Sequence, residues 1–124
     1  MAADVVYEDE RSMAFLDTRP LFPGHTLLVP REHTETLGDV DPAIIGPLFQ
    51  AAQRLSRAVE SAMNAEGTFV AINNRVSQSV PHLHIHVVPR RKGDGLKGFF
   101  WPRSKYRTPE DAARAAEAIR KALA

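Results

Sequence analysis

Short apolar-rich runs at Val5–Glu8, Ser12–Asp17 and His25–Val29, each bounded by polar residues, Pro or Gly, predict three β-strands. Pro20 and Pro23-Gly24 mark the turn between the second and third. The period then changes. Apolar residues at Ile45, Leu48, Ala52, Leu55, Val59 and Ala62 form one face of an amphipathic helix. Asp41-Pro42 starts that helix, with an N-cap and a proline at the first helical position. Gly46-Pro47 interrupts the pattern, so the regular helix is expected to begin or kink there, and to end near Gly67. Thr68–Asn73 and His82–Pro89 predict two more strands. Thr108-Pro109-Glu110-Asp111 opens a second helix that runs through Ala112, Ala115, Ile119 and Leu123. Strands, long helix, two strands and a short helix in that order predict an α+β fold.

The 124 residues fit one domain, 1–124, with a buried core; no repeat or linker divides it. There is no cysteine, which excludes disulfides and thiolate metal sites and agrees with a reducing compartment. No signal peptide is visible at Met1–Val5, and no apolar run approaches the ~20 residues that span a bilayer. A cytoplasmic protein with no membrane contact is the expectation. The net charge of +1 hides a division: Pro89–Arg107 carries seven basic residues against Asp94, while the remaining chain is at −5. A basic segment on an acidic body points either to an anionic ligand or to a solvated tail.

The chemistry is concentrated in Gln78-Ser79-Val80-Pro81-His82-Leu83-His84-Ile85-His86-Val87-Val88-Pro89. Three of the five histidines alternate here with Leu83, Ile85 and Val87, so on a strand the imidazoles share one face and the aliphatic side chains the other. Three readings are open. The row is the polar face of a half-buried strand; or a pair of its histidines binds zinc with ligands from elsewhere, such as His25, His33 or an acid; or it is a nucleophilic centre. Convergence of all three on one zinc is strained, because His82 and His86 start ~13 Å apart and zinc needs each nitrogen at ~2.0–2.1 Å. For nucleophilic attack on phosphate the middle ring is best flanked. If its second nitrogen donates to a backbone carbonyl, the tautomer is fixed and the free nitrogen is aimed outward. The covalent intermediate would be a phosphoramidate.

His82-Leu83-His84-Ile85-His86-Val87-Val88 resembles the histidine-triad (HIT) signature, in which three histidines alternate with aliphatic residues. The resemblance extends upstream through Phe15-Leu16-Asp17, Pro23-Gly24-His25-Thr26-Leu27-Leu28-Val29-Pro30-Arg31-Glu32-His33, Asn73-Asn74 and Gln78-Ser79-Val80-Pro81. It implies an antiparallel sheet of about five strands packed with one long helix and a C-terminal helix, the triad at 82–88 and a variable tail at 90–124. It implies a hydrolase or nucleotidyl transferase that cleaves the α-phosphate bond of adenylate esters, amidates or dinucleoside polyphosphates. By the same resemblance His84 is the nucleophile, and His82 and His86 contact phosphate and support it. Gln78 and Ser79 lie near the scissile phosphate and leaving group, Asp17 accepts from the ribose hydroxyls, His25 joins the network, and Asn73 contacts phosphate. The implied partners are a purine nucleotide or nucleotide conjugate and a second copy of the chain, as a homodimer.

The sequence also departs from the family pattern. Many members carry a Cys-x-x-Cys pair that binds zinc with histidines; without it, His33 reads as a surface or capping residue. The loop between Asn73 and Gln78 is short, and Ser77 stands where glycine is usual. In the tail, Phe99-Phe100 replaces the Lys-Ser/Thr of a phosphate-binding P-loop; Phe99 and Phe100 are expected to pack the tail onto the body, while Trp101 either joins them or, like Tyr106, meets a base or a partner subunit. Cations from Arg90 onward are expected to stabilise charge on phosphate. No cofactor is required, magnesium at most accompanying a polyphosphate substrate. A polynucleotide partner is suggested only by the basic aromatic tail and is not expected. The rivals to this reading are a nucleotide-binding or scaffolding module with little turnover and a metal-dependent hydrolase using paired histidines.

Overall fold

Side chains on a strand alternate between faces, and burial follows that alternation in the computed structural model, which describes residues 4–96 and 103–124. Ala14, Leu28, Leu83, Ile85 and Val87 are fully buried, while Phe15, Leu27, His84 and His86, next to them in sequence, are only partly covered. The strands are β1 (Val5–Glu8), β2 (Ser12–Leu16), β3 (Thr26–Pro30), β4 (Gly67–Ala71) and β5 (Ile85–Arg90). They form one sheet in the order β1-β2-β3-β5-β4, and every neighbouring pair is antiparallel. One long helix, α1 (Pro42–Ala62), packs against β3, β4 and β5. This is the α+β architecture expected.

The helix begins where Asp41-Pro42 places it. Asp41 Oδ1 accepts from the Ala43 N–H at 2.9 Å, satisfying one of the first-turn donors. The helix does not wait for Gly46-Pro47 to begin, and Pro47 lies inside a continuous helix. Near the N-terminus a proline forfeits one backbone bond. Leu48, Ala51, Ala52, Leu55 and Val59 are buried on the core face, and each fully covered Leu or Val contributes about 1.5–3 kcal/mol. Burial wins. The helix also stops earlier than Gly67. Asn64 takes a left-handed conformation (φ 51°); its N–H reaches Ser61 O, and Ala65 N–H reaches Glu60 O, the paired bonds of a Schellman cap. Ala62, expected on the apolar face, is exposed.

A short 3₁₀ turn at Leu37–Asp39, unmarked in the pattern, leads into α1. Gly24, just before β3, has φ 98°, and a Cβ there would lie 2.5 Å from Met63 Cγ. Only glycine meets both conditions, and the close approach seats the β2–β3 turn on the end of α1.

The chain divides into two compact units between Asp94 and Gly95. In the second, α2 (Pro109–Leu123) starts as its sequence predicts, with Thr108 Oγ1 accepting from Asp111 N–H at 3.2 Å. Acids in its first turn and Arg120 and Lys121 in its last complement the helix dipole. The packing expected of Phe99 and Phe100, and the place of Trp101, fall outside the described residues. Among the described residues no helix is long and apolar enough to cross a membrane.

Candidate active site

The face of the sheet opposite α1 carries the histidines. Phe15 on β2 pairs with Leu27 on β3, and Leu27 with His86 on β5, so these side chains form a row across the open face. They line a cavity of about 420 Å³ together with Asp17, Arg19, Val29, Ser79, Val80, His82 and His84. That volume suits one small ligand.

The expected strand His82–Pro89 starts later, at Ile85. His82, Leu83 and His84 lie outside the ladder, yet the alternation persists: Leu83, Ile85 and Val87 point into the core and the three histidines into the cavity. Segment 82–83 is held instead from residues 30–34. Leu83 N–H donates to Thr34 O at 2.6 Å, and His82 Nε2 lies 3.0 Å from Pro30 O.

Hydrogen bonds settle the proton positions. His84 Nδ1 lies 2.8 Å from His82 O; a carbonyl only accepts, so Nδ1 carries the proton and a neutral His84 has its lone pair on Nε2. Behind the row, Leu21 N–H donates to His25 Nδ1 at 3.1 Å. A neutral His25 is therefore protonated on Nε2, which donates across 2.9 Å to His86 Nδ1. His86 in turn is protonated on Nε2. That nitrogen is buried and has no hydrogen-bond partner among the described residues. Burial pushes the His86 pKa down to about 4, helped by His25 and His84 and opposed by Asp17. Burial likewise lowers His25, which is buried at 3% exposure. Both rings are neutral near pH 7, as the chain of donors requires. The rings of His84 and His86 meet edge-on, centroids 4.9 Å apart.

Asp17 follows β2. Its Oδ1 accepts from Arg19 N–H at 2.9 Å, a local turn of the kind short acids favour, and its Oδ2 lies 3.7 Å from His25 Nε2. Ser79 lines the cavity, but Gln78 and Asn73 do not. The Gln78 amide is spent on backbone: Nε2 donates to Glu35 O at 2.6 Å and Oε1 accepts from Arg75 N–H at 2.8 Å. Asn73 is exposed. Between them Arg75 and Ser77 hold positive φ, 67° and 66°, the region where glycine is favoured.

Arg90 and Arg91, the first of the expected cations, stand away from the cavity. Arg90 makes a two-pronged pair with Asp94, at 2.7 and 2.9 Å, and Arg91 donates to Met63 O. Neither lines the cavity; Arg19 does. The sequence reading passed over Arg19, although a cation two residues after the candidate ribose acid was a usable signal.

Asp17, His25 and His86 offer ligand atoms within 4.8 Å of one another. The donor chemistry fits a metal poorly there, because Leu21 occupies Nδ1 of His25 and its Nε2 is the proton-bearing nitrogen; a metal would have to take that proton's place. The family's zinc site fits no better. It needs thiolates, the sequence has none, and His33 Nδ1 faces His82 Nδ1 at 3.3 Å.

The HIT-domain family model matches residues 1–93. A HIT-like protein of Mycobacterium tuberculosis is 41% identical over 93 residues, which are 73% of this chain and 65% of the relative. The asymmetrical bis(5'-nucleosyl)-tetraphosphatase of Schizosaccharomyces pombe is 31% identical over 76% of this chain and 53% of its own. The match thus spans about two thirds of the first relative and about half of the second. The crystal structure of a HIT family member from Bacillus subtilis superposes with a TM-score of 0.87 at 32% identity, covering 100% of this chain and 90% of that one.

Proposed function

The chain belongs to the HIT-domain family, and from that membership and the geometry of the histidine row we propose that it is a nucleotide hydrolase or nucleotidyl transferase working through a covalent intermediate on His84. The observation that carries the reading is the pairing of two nitrogens. His84 Nε2 has a free lone pair facing the cavity, and the adjacent His86 Nε2–H is buried without a partner among the described residues. A buried donor left unpaired costs about 1–3 kcal/mol. A phosphate oxygen in front of His84 would satisfy it, and more fully as negative charge develops on that oxygen in the transition state.

The reaction takes two steps. The His84 Nε2 lone pair attacks the α-phosphorus, a P–N bond forms, and the bond to the leaving group breaks with its electron pair. The leaving group departs with a proton, for which Ser79 at the cavity wall is the donor or relay. Water then attacks the phosphoramidate and gives its proton back through Ser79, the P–N bond breaks with its electron pair returning to His84 Nε2, and the mononucleotide leaves. Ribose hydroxyls donate to Asp17, whose turn with Arg19 fixes it at the cavity edge, and the purine lies against Phe15, Leu27 and Val29. Arg19 is the cation for the substrate's phosphates. His82 supports His84 through its carbonyl. No metal is needed for either step; magnesium enters only as the companion of a polyphosphate.

The substrate class is an adenylate ester, an amidate or a dinucleoside polyphosphate, the last in keeping with the fission-yeast relative's name. A brief quench after mixing with a radiolabelled adenylate donor, followed by peptide mapping, is expected to find AMP on His84. Label on another histidine, or none despite turnover, removes the proposal.

The working form is a homodimer in the cytoplasm. β4 is an edge of the sheet, and Phe49 and Val70 are exposed beside it at 38% and 44%. Pairing of two β4 edges would continue the sheet and cover both side chains. Sedimentation should read twice the 13.7 kDa chain mass; a monomer at micromolar concentration rejects it.

A further inference from the structure

We infer that His33, an exposed side chain outside the triad, is a positioning residue that aims the catalytic imidazole by clamping His82. The inference rests on the reading of His84 as nucleophile. It starts from the late onset of β5. Because the ladder begins only at Ile85, no strand pairing fixes His82, yet its carbonyl takes the His84 Nδ1 proton and so decides which His84 nitrogen is free. Something else must hold that carbonyl in place.

Leu83 N–H, in the same rigid peptide plane, ties it on one side to Thr34 O, and the His82 ring ties the residue on the other. Pro30 O can only accept, so His82 Nε2 bears a proton and donates across 3.0 Å. Its other nitrogen lies 3.3 Å from His33 Nδ1, and one proton shared between the two Nδ1 atoms completes the bond. The rings stack at 25° with centroids 5.3 Å apart. Both His82 nitrogens are therefore spent on protein partners, and the ring has no nitrogen left for substrate phosphate. Its side chain works as an anchor. Besides the local bond from His82 N–H to Val80 O at 2.7 Å, residues 30–34 supply three ties: Pro30 O, His33 Nδ1 and, one residue on, Thr34 O to Leu83 N–H at 2.6 Å. Of these only the His33 bond depends on a side chain from that segment, so only it can be removed by substitution without altering the backbone.

Loss of the His33 bond frees the His82 ring to turn, loosens its carbonyl, and lets the His84 proton exchange between Nδ1 and Nε2. A His84 protonated on Nε2 has no lone pair to offer. Binding of nucleotide, which does not involve His33, is untouched.

The test compares wild type with His33→Ala and His33→Gln, whose amide can still donate to His82 Nδ1. Two readouts are taken: steady-state kinetics on whichever of an adenylate amidate, ester or dinucleoside polyphosphate turns over fastest, and imidazole ¹⁵N shifts of the free protein. For His33→Ala, kcat should fall about tenfold, the scale of a misaimed group, with KM within twofold. The His84 signals should shift from a pure Nδ1–H tautomer to a mixture, and His33→Gln should restore most of both. An unchanged kcat, or a His84 tautomer unmoved by His33→Ala, overturns the inference. The two readings fail separately: if His84→Ala retains turnover the catalytic proposal is lost, while the nitrogen shifts still decide whether His33 sets the His84 tautomer.

Discussion

Replacement of His84 by alanine should lower nucleotide turnover by at least about a thousandfold, the scale seen when a covalent nucleophile is removed, or about 4 kcal/mol of barrier. The loss follows from what the neighbours cannot replace. His82 has both nitrogens committed to Pro30 and His33, and His86 has no lone pair free, because its Nδ1 accepts from His25 and its buried Nε2 carries the proton. No other ring in the row can attack. His84→Asn sharpens the test, since its amide can still donate to the His82 carbonyl and keep the local backbone bond. Equal loss in both variants assigns the effect to the missing nucleophile rather than to a disturbed loop. Nucleotide affinity, which the proposal assigns to Asp17 and Arg19 at the cavity wall, should stay within a few-fold of wild type by calorimetry. A variant with more than a tenth of wild-type turnover excludes His84 as nucleophile. Tight binding with negligible turnover by the wild type itself would favour a scaffolding module.

The fold was legible wherever a local signal met no opposing demand from tertiary burial. Val5–Glu8 was read to its ends, and Asp41 and Thr108 cap their helices as their side chains predict. Local signals failed where tertiary burial outweighed them. Gly46-Pro47 looked like a break, but one lost backbone bond is small beside the buried face from Leu48 to Val59. At the other end Gly67 was chosen as the stop, yet glycine belongs to β4, and Asn64, which also tolerates a left-handed backbone, ends the helix. The late start of β5 had no signature in the sequence at all. His82-Leu83-His84 alternates like a strand, but a ladder also needs a partner, and β3 pairs with β5 only as far as Ile85.

At the site, the sequence showed which side chains share a face and concealed which nitrogen of each carries a proton. Alternation with Leu83, Ile85 and Val87 put the three rings together without help from any distant residue. Their tautomers depend on Leu21, His25, Pro30 and His33, contacts made across the fold that no spacing rule encodes. Gln78 and Asn73 were assigned by resemblance; in this chain Arg75 and Ser77 turn the intervening loop through a left-handed conformation, and the Gln78 amide closes on backbone atoms. The basic run from Arg90 was read as one electrostatic feature. Arg90 and Arg91 lie at the far end of β5 from His84, and Asp94 and the Met63 carbonyl neutralise or bind them there. Charge counting along a chain cannot distinguish a cation already paired from one facing a ligand.

The same buried histidine pair should make the protein acid-labile in a defined window. His86 has a folded-state pKa of about 4 against 6.5 when unconstrained. Between those values the unfolded chain binds a proton that the folded chain does not, so the unfolding free energy must fall as pH falls. His86 alone accounts for at most about 3 kcal/mol, fully present above pH 6.5 and exhausted below about 4. His25, lowered by its burial, adds to the loss in the same direction. The structural reason is that His86 Nδ1 already accepts the His25 proton; protonating it would set two N–H groups against each other in a buried space. Urea midpoints measured from pH 7.5 to 4 should therefore hold level to about pH 6.5 and then drop steadily, and His86→Gln should flatten most of that slope. Asp9 does not confuse the assignment. Its carboxyl is held at about 2 by the Tyr7 hydroxyl, so its contribution is lost only below its ordinary value of 3.8, beneath the histidine window. A wild-type midpoint constant from pH 6.5 to 4 would mean that His86 accepts a proton in the folded state, and the donor chain from Leu21 through His25 to His86 would then be wrong.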